Sequence, residues 1–151
     1  MISPQANILF TEVYGLEADP AEGPWIPTDK LLEVAKALYE AGFNYFSYCA
    51  AAHYPATEEE EGYYNVSYRV RIVGKNGQEA AFRVRVPLGE ETPSLAGIWA
   101  GADWQEREQY DLIGVKFTNH PDLRRLMMPE NWDGHPLQKE YAIDTPHHPW
   151  R

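Results

Sequence analysis

Cysteine is nearly absent from this chain: one thiol, Cys49, in 151 residues. No internal disulfide can form, so a reducing compartment fits best. The chain also cannot itself ligate an iron–sulfur cluster, which takes several thiolates. Long apolar runs are missing too. The longest fall far short of the ~18 to 20 residues of a membrane span, so no direct span is expected. Positive charge is scarce, with 13 Lys and Arg against 23 Asp and Glu, a net of −10. Both halves share the acid excess. That disfavours nucleic acid as the main partner, because phosphate recognition needs a basic footprint. No basic stretch precedes the Ile8-Leu9-Phe10 cluster, and no secretory leader is expected.

The usual signatures of chemistry are missing as well. There is no Cys-x-x-Cys, no His-Glu-x-x-His, no Gly-x-Ser-x-Gly and no Gly-rich phosphate loop. Cys49 has no basic neighbour in sequence and reads as a buried, inert thiol. The pair His147-His148 reads as exposed. No catalytic residue, bound cofactor or metal site is assigned to the chain.

What remains is an ordinary globular composition, 44% hydrophobic and 13% aromatic, in a length of about one domain. Residues 7–14 read as a strand or extended edge, and Gly15 to Pro27 as a loop. Thr28 before Asp29 gives an N-cap and an acid in the first turn. Leu31, Val34, Ala35 and Leu38 then recur at helical spacing up to a stop at Gly42, so a helix is expected over 29–41. Residues 43–51 read as an aromatic strand. Residues 63–73 alternate, with Val66, Tyr68, Val70 and Ile72 on one face and Ser67, Arg69 and Arg71 on the other. Gly74-Lys75-Asn76-Gly77 signals a type I′ hairpin turn. Residues 79–86 return with Phe82, Val84 and Val86 inward and Arg83 and Arg85 outward. The four arginines make a basic stripe, read as a solvent face balanced by Glu58–Glu61, or else as a docking face for an acidic surface. Thr92-Pro93 predicts a short helix to about Trp99. Asp103 with Glu106 resembles a capping box opening a second helix to Ile113, stopped by Gly114. Beyond Val115, repeated prolines cut the chain into short pieces. The expected fold is therefore α+β: an antiparallel sheet with a packed helix, two short helices, then a long irregular C-terminal tail. Residues 1–114 form the core domain and 115–151 an extended tail that docks on a partner.

The second helix carries an unusual stripe. Trp104, Arg107, Glu108 and Asp111 lie three and four apart and share a face. One reading is a buried or interfacial ion-pair face with Arg124 or Arg125 as partners. Another is a solvated face with Trp104 tucked sideways. Glu108 and Asp111 also permit an acid/base pair, as in a small hydrolase, provided they flank a cleft. A metal module would have to draw on His120, His135 and the terminal histidines.

Three stretches resemble one family. They are Trp104 to Phe117, with Glu106-Arg107-Glu108, Asp111 and Gly114; His120-Pro121-Asp122-Leu123-Arg124-Arg125; and Gly134-His135-Pro136-Leu137. Together they resemble the 30-kDa subunit of respiratory complex I, the C subunit of the bacterial enzyme and the J subunit in cyanobacteria and chloroplasts. Gln138 and Glu140 depart from it, standing where that family usually has Arg and Asp. The resemblance implies a non-catalytic structural subunit of the hydrophilic arm, with no cofactor of its own. FMN, iron–sulfur clusters and quinone would sit in partner subunits. It implies packing on the 49-kDa (D-type) partner and on iron–sulfur subunits, peripheral to the cytoplasmic face of a membrane, or of the thylakoid in a cyanobacterium. Arg107, Glu108, Asp111, His120, Arg124, Arg125, His135 and Lys139 are the expected partner-interface residues. On this reading Asp111→Ala or Arg124→Ala should impair assembly more than folding. The alternatives are the equivalent subunit of a membrane-bound energy-converting hydrogenase and, behind it, the small hydrolase.

Overall fold

A computed structural model of the chain describes residues 2–19, 21–74 and 78–142. The period-two pattern becomes a three-stranded antiparallel sheet in the order β3-β4-β5. Its strands are β3 (Tyr45–Tyr54), β4 (Tyr63–Arg71) and β5 (Glu79–Pro87). Val66 faces Val84 and Tyr68 faces Phe82 across β4 and β5, so the apolar positions share one face. Tyr64, Val66, Tyr68, Val70, Phe82, Val84 and Val86 are all buried there. Strand β3 starts and ends later than its aromatic content predicts, and carries a bulge between Phe46 and Tyr48. Of the expected hairpin turn, Gly74 adopts φ +82°; residues 75–77 lie outside the described residues.

The expected first helix is present. A 3-10 turn over Thr28–Lys30 leads into α2 (Leu31–Glu40). Its four apolar residues are buried in the core beside the sheet, each contributing roughly 1.5 to 3 kcal/mol when fully buried.

Two expected elements are corrected. Residues 7–14 are not a strand. Ser3 accepts a bond from Ala6 N–H and Pro4 opens α1 (Pro4–Ile8), which widens into a π-type turn over Leu9–Val13. Ala6 and Phe10, four apart, both enter the core. The Ser-Pro helix start lay just before the stretch read as extended. Nor does Thr92-Pro93 open a helix. Thr92 lies buried in β6 (Glu91–Pro93), which pairs in parallel with β7 (Lys116–Thr118). A turn over 95–98 follows. Between Gly15 and Pro27 the loop contains a small hairpin of β1 (Ala18–Asp19) and β2 (Gly23–Pro24). Gly23 lies so close to β5 that a Cβ there would sit 1.8 Å from the Ala81 carbonyl oxygen.

The other expected helix, α3 (Ala102–Ile113), ends at Gly114 with φ +94° as its sequence predicts. Its start differs. Gly101 is the N-cap, and Asp103 makes no capping bond. Glu106 turns inward instead, taking the N–H of Leu95 at 2.8 Å and the hydroxyl of Ser94 at 2.5 Å.

Candidate docking site on helix α3 and the tail

The buried face of α3 is largely polar: Glu106, Arg107, Gln109 and Asp111 are all buried. A buried polar group is costly unless it is hydrogen-bonded. Each of these side chains meets that condition by satisfying the backbone of another segment. Gln105 Oε1 accepts from Cys49 N–H at 2.7 Å, and Gln109 Oε1 from Ala51 N–H at 2.9 Å. These amides close the free edge of β3, which would otherwise offer unpaired donors to another strand. Glu106 holds the turn after β6.

Asp111 holds the tail. Its Oδ2 accepts three successive backbone N–H groups, from Leu126, Met127 and Met128, at 3.0, 2.6 and 2.8 Å. Its Oδ1 accepts from Arg125 Nη1 at 2.7 Å. Arg125 also donates to the carbonyls of Asp111, Trp132 and Gly134. The planar guanidinium suits this fan of acceptors. Burial pushes the Asp111 carboxyl upward, but the bonds from Met128, Arg125, Met127 and Leu126 outweigh it, so the net direction is below the ordinary range.

The rest of the tail follows the helix. Arg107 donates to the carbonyls of Arg124 and Arg125. His135 Nδ1 lies 2.9 Å from the Asp111 carbonyl, and Leu137 N–H donates to Leu112 O at 2.8 Å. Gln138, one of the two departures from the family pattern, donates to Ile113 O at 2.8 Å and to the Tyr64 hydroxyl at 3.0 Å. Lys139 N–H donates to His53 Nδ1, and its ammonium lies over the Tyr54 ring. Tyr54 stacks on Tyr63, and Arg85 covers the other side of Tyr63. A cation–ring–ring–cation column thus ties the tail to the sheet.

The eight expected interface residues therefore divide. Arg107, Asp111, His120, Arg125 and His135 converge within the chain, where they fasten the tail to α3. Of the two readings of the stripe, the ion pair with Arg125 is the one observed, and Trp104 stands out from the surface rather than tucked in. Arg124 is exposed and bonds only to Asp122 among the described residues. Glu108, half-buried, has no hydrogen bond or ion pair among them. Lys139 is exposed apart from its ring contact. Asp111 has no lone pair left for acid/base work. The two clefts seen, about 340 Å³ beside Trp25 and about 360 Å³ between Tyr39 and Trp99, are lined by neither Asp111 nor Glu108. The basic stripe is balanced locally: Arg69 pairs with Glu79 at 2.6 Å, Arg83 with Glu22 and Arg85 with Glu60. Of the Glu58–Glu61 run, only Glu60 makes such a pair among the described residues. Cys49 is buried; burial first, then Glu106 and Glu108, push its thiol well up, as an inert thiol requires.

Sequence reasoning missed Gln105, Gln109 and Gln138. The only signal was their spacing along and after α3, and glutamines at helical spacing are too common to single out.

An α+β domain whose tail is strapped to a polar helix, and which offers no assembled catalytic group, is a scaffold rather than an enzyme in its own right. Residues 24–147 match the family model described as the respiratory-chain NADH dehydrogenase 30-kDa subunit, and the chain belongs to that family. It is 40% identical over 124 residues to the C subunit of the NADH-quinone oxidoreductase of Moorella thermoacetica, covering 80% of this chain and 79% of that one. It is 47% identical over 94 residues to the corresponding C subunit of Azorhizobium caulinodans, covering 61% of this chain and 42% of that longer protein. Among solved structures, the trypsin-resistant fragment (1-134) of Nqo5 aligns with a TM-score of 0.62 and 26% identity, over 75% of this chain and 93% of the fragment.

Proposed function

We propose that the chain is a non-catalytic structural subunit of the hydrophilic arm of a complex I-type NADH:quinone oxidoreductase. It packs on the 49-kDa (D-type) partner and on iron–sulfur subunits. FMN, clusters and quinone belong to those partners. The subunit sits peripherally, on the cytoplasmic face of the membrane. No helix among the described residues is long and apolar enough to cross it. The names of its relatives support the assembly, and none points to a hydrogenase.

One observation carries the docking surface. Trp104 is 65% exposed, Met127 62% and Leu137 59%. They are strung along α3: Trp104 in its first turn, Met127 in the tail turn that wraps Asp111, and Leu137 where the tail bonds to Leu112. Large apolar side chains exposed along one element mark a surface awaiting a partner. Arg124, Glu108 and Lys139 provide charged groups beside them, suited to fixing register. The buried charges hold the tail in shape, and the exposed apolar residues contact the partner. The test is a Trp104→Ser, Met127→Ser, Leu137→Ser variant expressed in place of the native chain. The intact complex should be depleted on a native gel while the isolated variant keeps its unfolding midpoint. Normal assembly of that variant would place the interface elsewhere.

A further inference from the structure

Glu106 is fully buried, and no Lys or Arg pairs with it among the described residues. Four titratable groups surround it: Asp103 on its own helix, His120 just beyond β7, Cys49 on β3 and Tyr68 on β4. Arg107, next along α3, is engaged with the carbonyls of Arg124 and Arg125 instead. The one candidate counter-ion is His120, whose Nε2 lies 3.9 Å from Glu106 Oε2. Its ring is already engaged. Asp122 N–H donates to Nδ1 at 3.0 Å, so Nδ1 carries no proton. The single ring proton is then on Nε2, 3.1 Å from the Asp103 carbonyl oxygen. An imidazolium would set two N–H groups against each other at Asp122. The ring is therefore neutral, and Glu106 lacks a positive partner.

A buried carboxylate without a counter-ion is costly, and such a group takes up a proton instead. The geometry accommodates the acid form. Ser94 Oγ accepts Ala96 N–H at 3.1 Å with one lone pair and has a second for a carboxyl O–H at 2.5 Å. Oε1 then serves as the carbonyl oxygen that accepts Leu95 N–H.

We propose that Glu106 is a buried proton-binding site: the folded chain holds its carboxyl as the neutral acid, and loss of that proton to solvent loosens the junction where β6, α3 and the root of the tail meet. Burial, opposed by the Ser94 and Leu95 bonds and reinforced by Asp103, pushes Glu106 up to about 7. The unfolded chain releases this proton near 4.5, the folded chain near 7. Between those values the folded state binds more protons, so stability falls as pH rises through that window.

The test follows the full chain by chemical denaturation from pH 4 to 8, beside Glu106→Gln. The folding equilibrium of the wild type should weaken on the order of a hundredfold across the window. The glutamine variant, a mimic of the neutral acid, should lack that component and be the more stable protein at pH 8. A direct readout covers the case in which the variant fails to fold. In wild-type chain carrying ¹³C in its glutamate carboxyls, the Glu106 resonance should titrate near neutrality, with His120 bearing one ring proton at pH 7. A Glu106 resonance titrating in the ordinary carboxylate range, or a doubly protonated His120 at pH 7, overturns the proposal.

Discussion

Replacing Asp111 by alanine removes the anchor of the tail, and its cost can be worked from the bonds it makes. Three backbone donors and one guanidinium share this carboxylate, which is 0% exposed. A hydrogen bond to a charged group contributes about 1.5 to 3 kcal/mol, so four would sum to far more than any single substitution costs. The sum overstates the loss. The tail turn is partly open, so water reaches Leu126, Met127 and Met128 once the carboxylate is gone. Arg125 also keeps the carbonyls of Trp132 and Gly134. Breaking a buried pair by removing one partner costs about 3 to 5 kcal/mol, and the open turn favours the lower end. That is a large part of the roughly 5 to 15 kcal/mol that stabilises a domain. Urea denaturation of the purified chain should therefore show stability lowered by about 3 kcal/mol. Amide exchange should accelerate from about residue 125 to 138. A loss below about 1 kcal/mol with unchanged exchange would refute the anchoring argument. It would restore the sequence-based expectation that Asp111 serves assembly before folding.

Acid should act on the same anchor. The folded Asp111 lies below its ordinary value of 3.8, so its contribution is present above that value and is lost as pH falls through the folded one; tail exchange measured at falling pH should rise first near residues 125–128, and Asp111→Asn should remove that acid response. Gly23→Ala should prevent folding, because the added Cβ meets the Ala81 carbonyl oxygen at 1.8 Å with φ +78°; a soluble variant with a native circular-dichroism spectrum would contradict this. Gly114→Ala should cost about 1 to 2 kcal/mol or more through its left-handed φ, worsened by a Cβ 2.8 Å from Gln138 and His135, read as a lowered thermal midpoint.

The hairpin of β4 and β5 and the helix α2 were legible because each buries a face whose apolar residues recur at the period of its own geometry. Helix α3 was legible in extent, through Gly114 at its end, but not in function. Its inward face is Glu106, Gln109 and Asp111, so a reading that takes polar residues as solvent-facing inverts it. The family motif marked Asp111, Arg125 and His135 as important without saying what they touch. Their contacts close within the chain, between residues 14 to 24 positions apart, and no local pattern encodes such pairings. Thr92-Pro93 misled for a related reason. Its cap signal was sound locally, but pairing with Phe117 and the grip of Glu106 on Ser94 and Leu95 decided the backbone instead. The irregular tail was visible from its prolines. Its attachment to α3 was not, because carbonyl and N–H groups, invisible to side-chain patterning, make most of the bonds.

The central claim is that the chain is a scaffold subunit, fastened by its own buried charges and docked by an exposed apolar row. It is tested most directly by co-purification of the tagged chain from gently solubilised native membranes, with mass spectrometry of what accompanies it. The account predicts recovery of a 49-kDa-type subunit and iron–sulfur subunits, with Trp104, Met127 and Leu137 shielded from labelling in the complex and open in the free chain. Recovery of the chain alone, monomeric and labelled at all three positions, would contradict it.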